Sequence, residues 1–144
     1  MDNATSETEA RILASFAAQG LMHTFGAEIV HVGRGEVHIA MPSSPALSQQ
    51  HGHVHAGALT SLVDTACGYA AMTVAAPGCD VLTVEFKVNF MRPARAERFL
   101  AIGRVVKSGR TLTVCAGEVT TDDGTTREAV ALMQATIISI PGTT

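Results

Sequence analysis

The sequence predicts an α+β domain in which an antiparallel sheet packs against one long central helix. Three observations carry that reading. Residues 56–76 are apolar on most sides and repeat at mixed three- and four-residue steps, as a helix enclosed by protein does. Strand-like runs flank this segment on both sides. The runs that follow it are separated by turn dipeptides of the kind that join neighbouring antiparallel strands.

The elements follow in order. Ser6 and Glu9 form a capping-box pattern, and Ile12, Leu13 and Phe16 recur at helical spacing up to Gly20, so a short amphipathic helix is expected over 7–19. Residues 25–41 look like a hairpin, AEIVHV and EVHIAM around GRG. Pro42 and Pro45 stop its second strand, and a loop rich in Ser, Gln and His runs to His55. In the central helix Leu59, Leu62, Val63, Ala66, Ala70 and Val74 supply the apolar faces, and Pro77-Gly78 ends it. Four strands remain, 83–90, 97–107, 111–121 and 126–139, punctuated by Ser108-Gly109 and by Asp122-Asp123-Gly124. In the first of them Val84, Phe86, Val88 and Phe90 alternate with Thr83, Glu85, Lys87 and Asn89.

Composition bounds the function. A chain of 144 residues and 15.0 kDa makes one domain, 1–144, without separate cofactor and substrate lobes. With 47% apolar and 16% charged residues it is not a disordered chain. Ten basic against thirteen acidic residues give a net charge of −3, and the pI is about 6.0, which argues against nucleic-acid binding driven by charge. MDNATSETEA has no basic region followed by an apolar core, so no signal peptide is expected. Residues 56–76 resemble a membrane span, yet Asp64 near the middle would cost about 2.5 kcal/mol or more there. No membrane partner is expected. Cys67, Cys79 and Cys115 form no paired framework and are expected as reduced thiols in a cytoplasmic protein.

The chemistry points first to Asp64. Between Glu36 and Asp80 it is the only Asp, Glu, Lys or Arg. A carboxylate on so apolar a helix is expected to be buried, and burial raises a carboxyl pKa toward working pH, a pattern common at functional sites. The alternatives are an exposed stripe shared with Thr60 and Ser61, or a structural pair across an interface. The second feature is the run Gln49-Gln50-His51-Gly52-His53-Val54-His55-Ala56-Gly57 leading into the helix. Free N–H groups at a helix start favour an anion or a polarised carbonyl, and Gly57 would let a ligand approach the backbone. Asp64 lies about 12 Å further along the axis, so the two features cannot serve one ligand within one chain without a bend or a partner.

Other chemistries fit less well. His51, His53 and His55 lack an Asp beside the last His, where Val54 stands, and Cys67 has no second thiol at ligand spacing, so no metal is expected. None of the three cysteines has the electropositive setting that a nucleophile needs. No GxSxG, P-loop or GxGxxG motif occurs. Arg92, Arg95 and Arg98 follow one strand, and Lys107 and Arg110 flank a hairpin. They are either solvated loop charges or a rim that holds a phosphate-rich ligand.

The string HVHAGALTSLVDTACGYAA resembles the HGG…D signature of hotdog-fold acyl-CoA thioesterases, in the PaaI-like branch of the 4-hydroxybenzoyl-CoA thioesterase superfamily. TVEFKVNFMRPA and VVKSGRTL are similar to that family's third strand and its CoA-side hairpin, so the resemblance spans roughly residues 20–140. It implies a single hotdog domain, its antiparallel sheet wrapped around the central helix. It places Asp64 as nucleophile or general base and Thr83 as a hydroxyl that can hold the attacking water. Gln49 then orients carbonyl or water, and His55 is the motif histidine. Ala56 stands where the family often has a glycine whose N–H polarises the thioester carbonyl, keeping the N–H but adding a methyl. With Gly57, the residues Phe90, Arg92, Lys107, Ser108, Gly109 and Arg110 are the expected substrate contacts. The family's site lies at a dimer interface, Asp64 of one subunit facing the amide of the other, and tetramers are expected.

The activity implied is hydrolysis of an acyl-CoA to free acid and CoA. Coenzyme A is then part of the substrate, with no separate cofactor. Gly68, Ala70 and Ala71 suggest room for an aryl or medium-chain acyl group. The alternatives are a hotdog dehydratase pairing His55 with Asp64, and a non-catalytic acyl-CoA-binding module.

Overall fold

The structure is a computed structural model that describes residues 3–142, so the outermost two residues at each end of the expected 1–144 domain lie outside the described residues. The element order is α1 (Asn3–Ala17), α2 (Gly20–Thr24), β1 (Glu28–Gly33), β2 (Glu36–Pro42), a 3-10 turn (Pro45–Leu47), α3 (Ala56–Met72), β3 (Cys79–Phe90), β4 (Arg98–Ser108), β5 (Leu112–Thr121) and β6 (Ala129–Pro141). The six strands form one antiparallel sheet in the order β1-β2-β4-β5-β6-β3. It curves around α3, with β1 and β3 at its edges. Among the described residues no helix is long and apolar enough to cross a membrane.

Alternation in the strands explains the core. Val37, Ile39 and Met41 of β2, Phe99 and Ala101 of β4, Cys115 and Val119 of β5 and Ala135 and Ile137 of β6 are buried with Leu59, Leu62, Val63, Ala66 and Cys67 of α3. The helix lies so close to the sheet that side chains are excluded beneath it. A side-chain carbon at Gly103 would come within 2.5 Å of the Ala66 carbonyl oxygen, and one at Gly117 within 2.5 Å of Val63 Cγ2.

Several boundaries differ from the sequence expectation. The first helix begins at Asn3 rather than residue 7, so Ser6 and Glu9 lie inside it instead of capping it. Gly20, expected as its stop, opens the short α2, with Gln19 as N-cap. The central helix ends at Met72, four residues before the expected end. There the Thr73 hydroxyl donates to the Ala70 carbonyl at 2.7 Å and accepts from the Gly35 N–H at 2.6 Å, while Val74 N–H turns to Ala71 O at 3.1 Å. These bonds tighten the last turn and tie it to the β1–β2 hairpin. Strand β3 starts at Cys79 rather than Thr83, because Cys79–Leu82 pair with Ile138–Pro141. The last strand correspondingly runs to Pro141 rather than 139.

Candidate active site

Asp64 projects from the flank of α3 that faces the edge strand β3. Thr83 Oγ1 donates to Asp64 Oδ1 at 2.7 Å. A β-bulge makes this contact possible. Thr83 pairs with Ile137 but Glu85 pairs with Thr136, so Val84 is extra and the strand changes phase. Regular alternation would have put Thr83 on the outer face with Glu85 and Lys87. The bulge turns it inward, onto the face that carries Phe86, Val88 and Phe90. Asp64 is half-buried rather than enclosed, because Thr65 and Gly68 beside it are also left uncovered on this flank.

Asp64 and Thr83 line a cleft of about 540 Å³ together with Thr65, Gly68, Tyr69 and Met72 of α3. Its far wall was not foreseen from the sequence. Ser15 of α1 and Gln19, the N-cap of α2, close it, their side chains meeting the Tyr69 hydroxyl at 3.0 and 2.7 Å. Arg11 anchors α1 to Asp80 at 2.7 Å.

The second group of expected residues gathers at the start of α3. His55 is the N-cap, and its Nδ1 accepts from the Gly57 N–H at 2.8 Å. The imidazole also fills the space beside Gly57, since a side-chain carbon there would lie 3.0 Å from Nδ1. Gly57 thus sits against the His55 ring, and its N–H is taken by that ring. With Gly57 occupied, the Ala56 N–H is the one left open at this turn: among the described residues no acceptor reaches it. Gln49 Oε1 accepts from His51 N–H at 2.5 Å and His53 N–H at 3.2 Å, which fixes the loop and leaves the amide NH₂ to point elsewhere. Gln49, His55, Ala56, Phe90 and Arg92 line a cleft of about 360 Å³ with Leu59 and Pro93.

One chain thus holds two separate clefts, one with the carboxylate and the other with the open amide. Eight helical residues, about 12 Å, divide them. The β4–β5 hairpin belongs to the carboxylate end. Ser108, Thr113, Ile137 and Thr83 form one row across four strands. A second bulge, between Val105 and Lys107, puts Lys107 opposite Val114 on the outer face. Gly109 N–H closes the turn onto Leu112 O at 2.8 Å. Among the described residues neither Lys107 nor Arg110 has an acidic partner, whereas Arg92 is paired with Glu128 at 2.8 Å and Arg98 with Glu28 at 3.2 Å.

The other ionisable groups do not compete for the chemistry. Burial pushes the Cys67 thiol far up and the Cys115 thiol up to about 11, so neither supplies a thiolate. Cys115 instead donates to the Cys67 carbonyl at 3.5 Å. His51, His53 and His55 do not converge. Among the described residues the group with metal-ligand spacing is His31, Glu36 and His38, on β1 and β2. Both Glu36 oxygens are engaged there, by His38 at 2.6 Å and Arg104 at 3.3 Å, and the His38 hydrogen bond holds the Glu36 carboxyl below its usual range. That cluster is an ion-pair network whose residues line neither cleft.

This arrangement has relatives. The sequence model of the thioesterase superfamily matches residues 51–128, more than half of the chain, and takes in His55, Ala56, Asp64 and Thr83. The chain belongs to the thioesterase superfamily. It is a thioester hydrolase with the hotdog fold, an antiparallel sheet wrapped around a central helix. A thioesterase family protein from Silicibacter pomeroyi is 44% identical, with 94% of this chain and 99% of that one covered and a TM-score of 0.90. A protein of Halobacterium salinarum that carries the provisional description of an esterase is 30% identical over 107 residues, 71% of this chain and 70% of its own. The E. coli PaaI protein, from the phenylacetic acid degradation operon, shares the fold at 22% identity and a TM-score of 0.84, over 98% of this chain and 96% of its own.

Proposed function

We propose that this thioesterase hydrolyses aryl- or medium-chain acyl-CoA thioesters, and that each active site is built from two chains. The observation that carries this reading is the placement of Thr83 and Phe90 seven residues apart on an open edge strand, on either side of Phe86. Thr83 belongs to the carboxylate half-site and Phe90 to the amide half-site. Strand β3 also leaves Leu82 57%, Val84 58% and Phe86 44% exposed, an apolar edge of the kind that marks an interface. Two β3 edges paired antiparallel about Phe86 bring the Thr83 end of each strand beside the Phe90 end of the other. The Asp64 carboxylate of one chain then faces the Ala56 N–H of its partner, and the 12 Å separation no longer matters.

In such a site the Ala56 N–H, helped by the positive end of the α3 dipole, polarises the thioester carbonyl. Asp64 supplies the electron pair, either directly to the carbonyl carbon or by taking a proton from a water held by the Thr83 hydroxyl. The C–S bond breaks and CoA leaves as a thiolate, which takes up the proton that water gave to Asp64; after direct attack, water must first hydrolyse the resulting Asp64 acyl anhydride, releasing the free acid, the regenerated carboxylate and that proton. The Gln49 amide NH₂ is a second donor for the carbonyl or the water. Lys107 and Arg110, which have no acidic partner among the described residues, are cations suited to the phosphates of CoA, and Arg92 must give up Glu128 to join them.

The test is release of free CoA thiol from a panel of acyl-CoA thioesters by purified protein, run beside hydration of an enoyl-CoA. Thioester turnover with no hydration supports the proposal. Hydration would establish the dehydratase alternative, and binding without turnover the binding module.

A further inference from the structure

Helix α3 holds a glycine that neither the helix nor the sheet explains. Gly103 and Gly117 are glycines because α3 leaves them no room, and at Gly57 the His55 ring lies close by. Gly68 is different: a side-chain carbon built there meets no atom within 4 Å. Glycine in a helix interior is less favourable than alanine, so an unused space at this position calls for another occupant. Gly68 stands one turn after Asp64, about 6 Å along the axis, and lines the same cleft as Asp64, Thr83 and Tyr69. By contrast Ala70 and Ala71, the other small residues of this stretch, are buried at 0% and 1% exposure and offer no space to a ligand.

We infer that Gly68 is the specificity-determining residue of the acyl pocket, where its missing side chain admits bulk close to the thioester carbon. An acyl group whose carbonyl sits at Asp64 carries its next carbons toward the following turn of α3. A ring or a branch at those carbons needs the volume over Gly68, whereas an acetyl group ends before reaching it. The inference rests on the thioesterase reading with Asp64 as the reacting carboxylate.

The experiment compares wild type, Gly68→Ala and Gly68→Leu on acetyl-, hexanoyl-, benzoyl- and phenylacetyl-CoA. The ratio of kcat/KM for the ring-bearing thioesters to that for acetyl-CoA is expected to fall at least about tenfold in Gly68→Ala and further in Gly68→Leu. Gly68→Ala should also melt about 2–5 °C higher, as an alanine in an unstrained helix does, with unchanged size by light scattering. An unchanged ratio overturns the inference. So does an equal loss on all substrates together with a change in oligomeric state, which would mean that the glycine admits a partner's backbone instead. If wild type hydrolyses none of the four, the proposed function itself fails and takes this inference with it. Should Gly68→Leu fail to fold, Gly68→Ala decides alone.

Discussion

The two flanks of α3 are built to opposite rules. The flank toward β2, β4 and β5 is packed until no side chain fits, with Gly103 under Ala66 and Gly117 under Val63 and Cys67. The flank toward β3 carries Asp64, Thr65 and Gly68 into a cleft of about 540 Å³ whose far wall is Ser15 and Gln19. The packed flank has no freedom to vary, so it fixes where the helix lies. The open flank can then present a carboxylate that the fold does not need. Packing and the proposed chemistry thus fall on two flanks of one helix, and that separation can be tested from either side.

The largest effect is expected on the packed flank. Gly103→Val has to displace the α3 backbone or the β4 strand, and the folded state should lose about 3 kcal/mol or more. Denaturant unfolding reads this directly, and a Gly103→Val protein of normal stability would show that the close approach is not required. On the open flank Asp64→Asn keeps shape and can still accept from Thr83. Here kcat should fall at least about 10²-fold with little change in KM, while stability moves by less than about 1 kcal/mol. Loss of stability with normal turnover would make Asp64 a structural residue instead.

Smaller effects follow at the rim. Lys107→Ala with Arg110→Ala should raise KM about tenfold with kcat nearly unchanged, because phosphate contacts bind ground and transition states alike. Arg92→Ala should do less, since Glu128 already holds that guanidinium. An equal KM change in all three would show that the Glu128 pair does not compete. The smallest effect is a reactivity contrast. Cys67 and Cys115 lie on the packed flank, where burial raises both thiols and keeps them protonated through neutral pH. Cys79, at the start of the open edge strand, is only partly covered. A thiol reagent at pH 8 should therefore label Cys79 first and reach the other two only on unfolding. Rapid labelling of all three would contradict the packing described.

Much of this could be read from the sequence, for identifiable reasons. The central helix announced itself because Leu59, Leu62, Val63 and Ala66 are buried together and recur at helical spacing. Asp64 stood out because its surroundings carry no other charge. The alternation in 83–90 was also legible, but a bulge adds one residue without leaving a composition signal. The inward turn of Thr83, and so its bond to Asp64, could not come from period alone. Helix α2 was hidden because Gly20 looks like a stop and the element is only five residues long. The capping role of His55 toward Gly57 was hidden too, since the same two residues fit a ligand-binding turn. The wall that Ser15 and Gln19 build over Tyr69 joins residues some fifty positions apart, which local patterns do not report.

The central claim is that the carboxylate and the amide of one active site come from different chains. Ala56→Pro removes the N–H at the first helical position, where proline is tolerated, and the preceding His55 has φ −62 and ψ 138, a conformation that proline accepts in its neighbour. Ala56→Pro and Asp64→Asn proteins should each be nearly inactive alone. Unfolded together and refolded as an equimolar mixture, they form mixed dimers in which one of the two sites has both an intact Asp64 and an intact Ala56 N–H. Activity should return to about a quarter of the wild-type value per chain. If each site were built from a single chain, every site in the mixture would carry one defect or the other, and no activity above that of the separate variants would return.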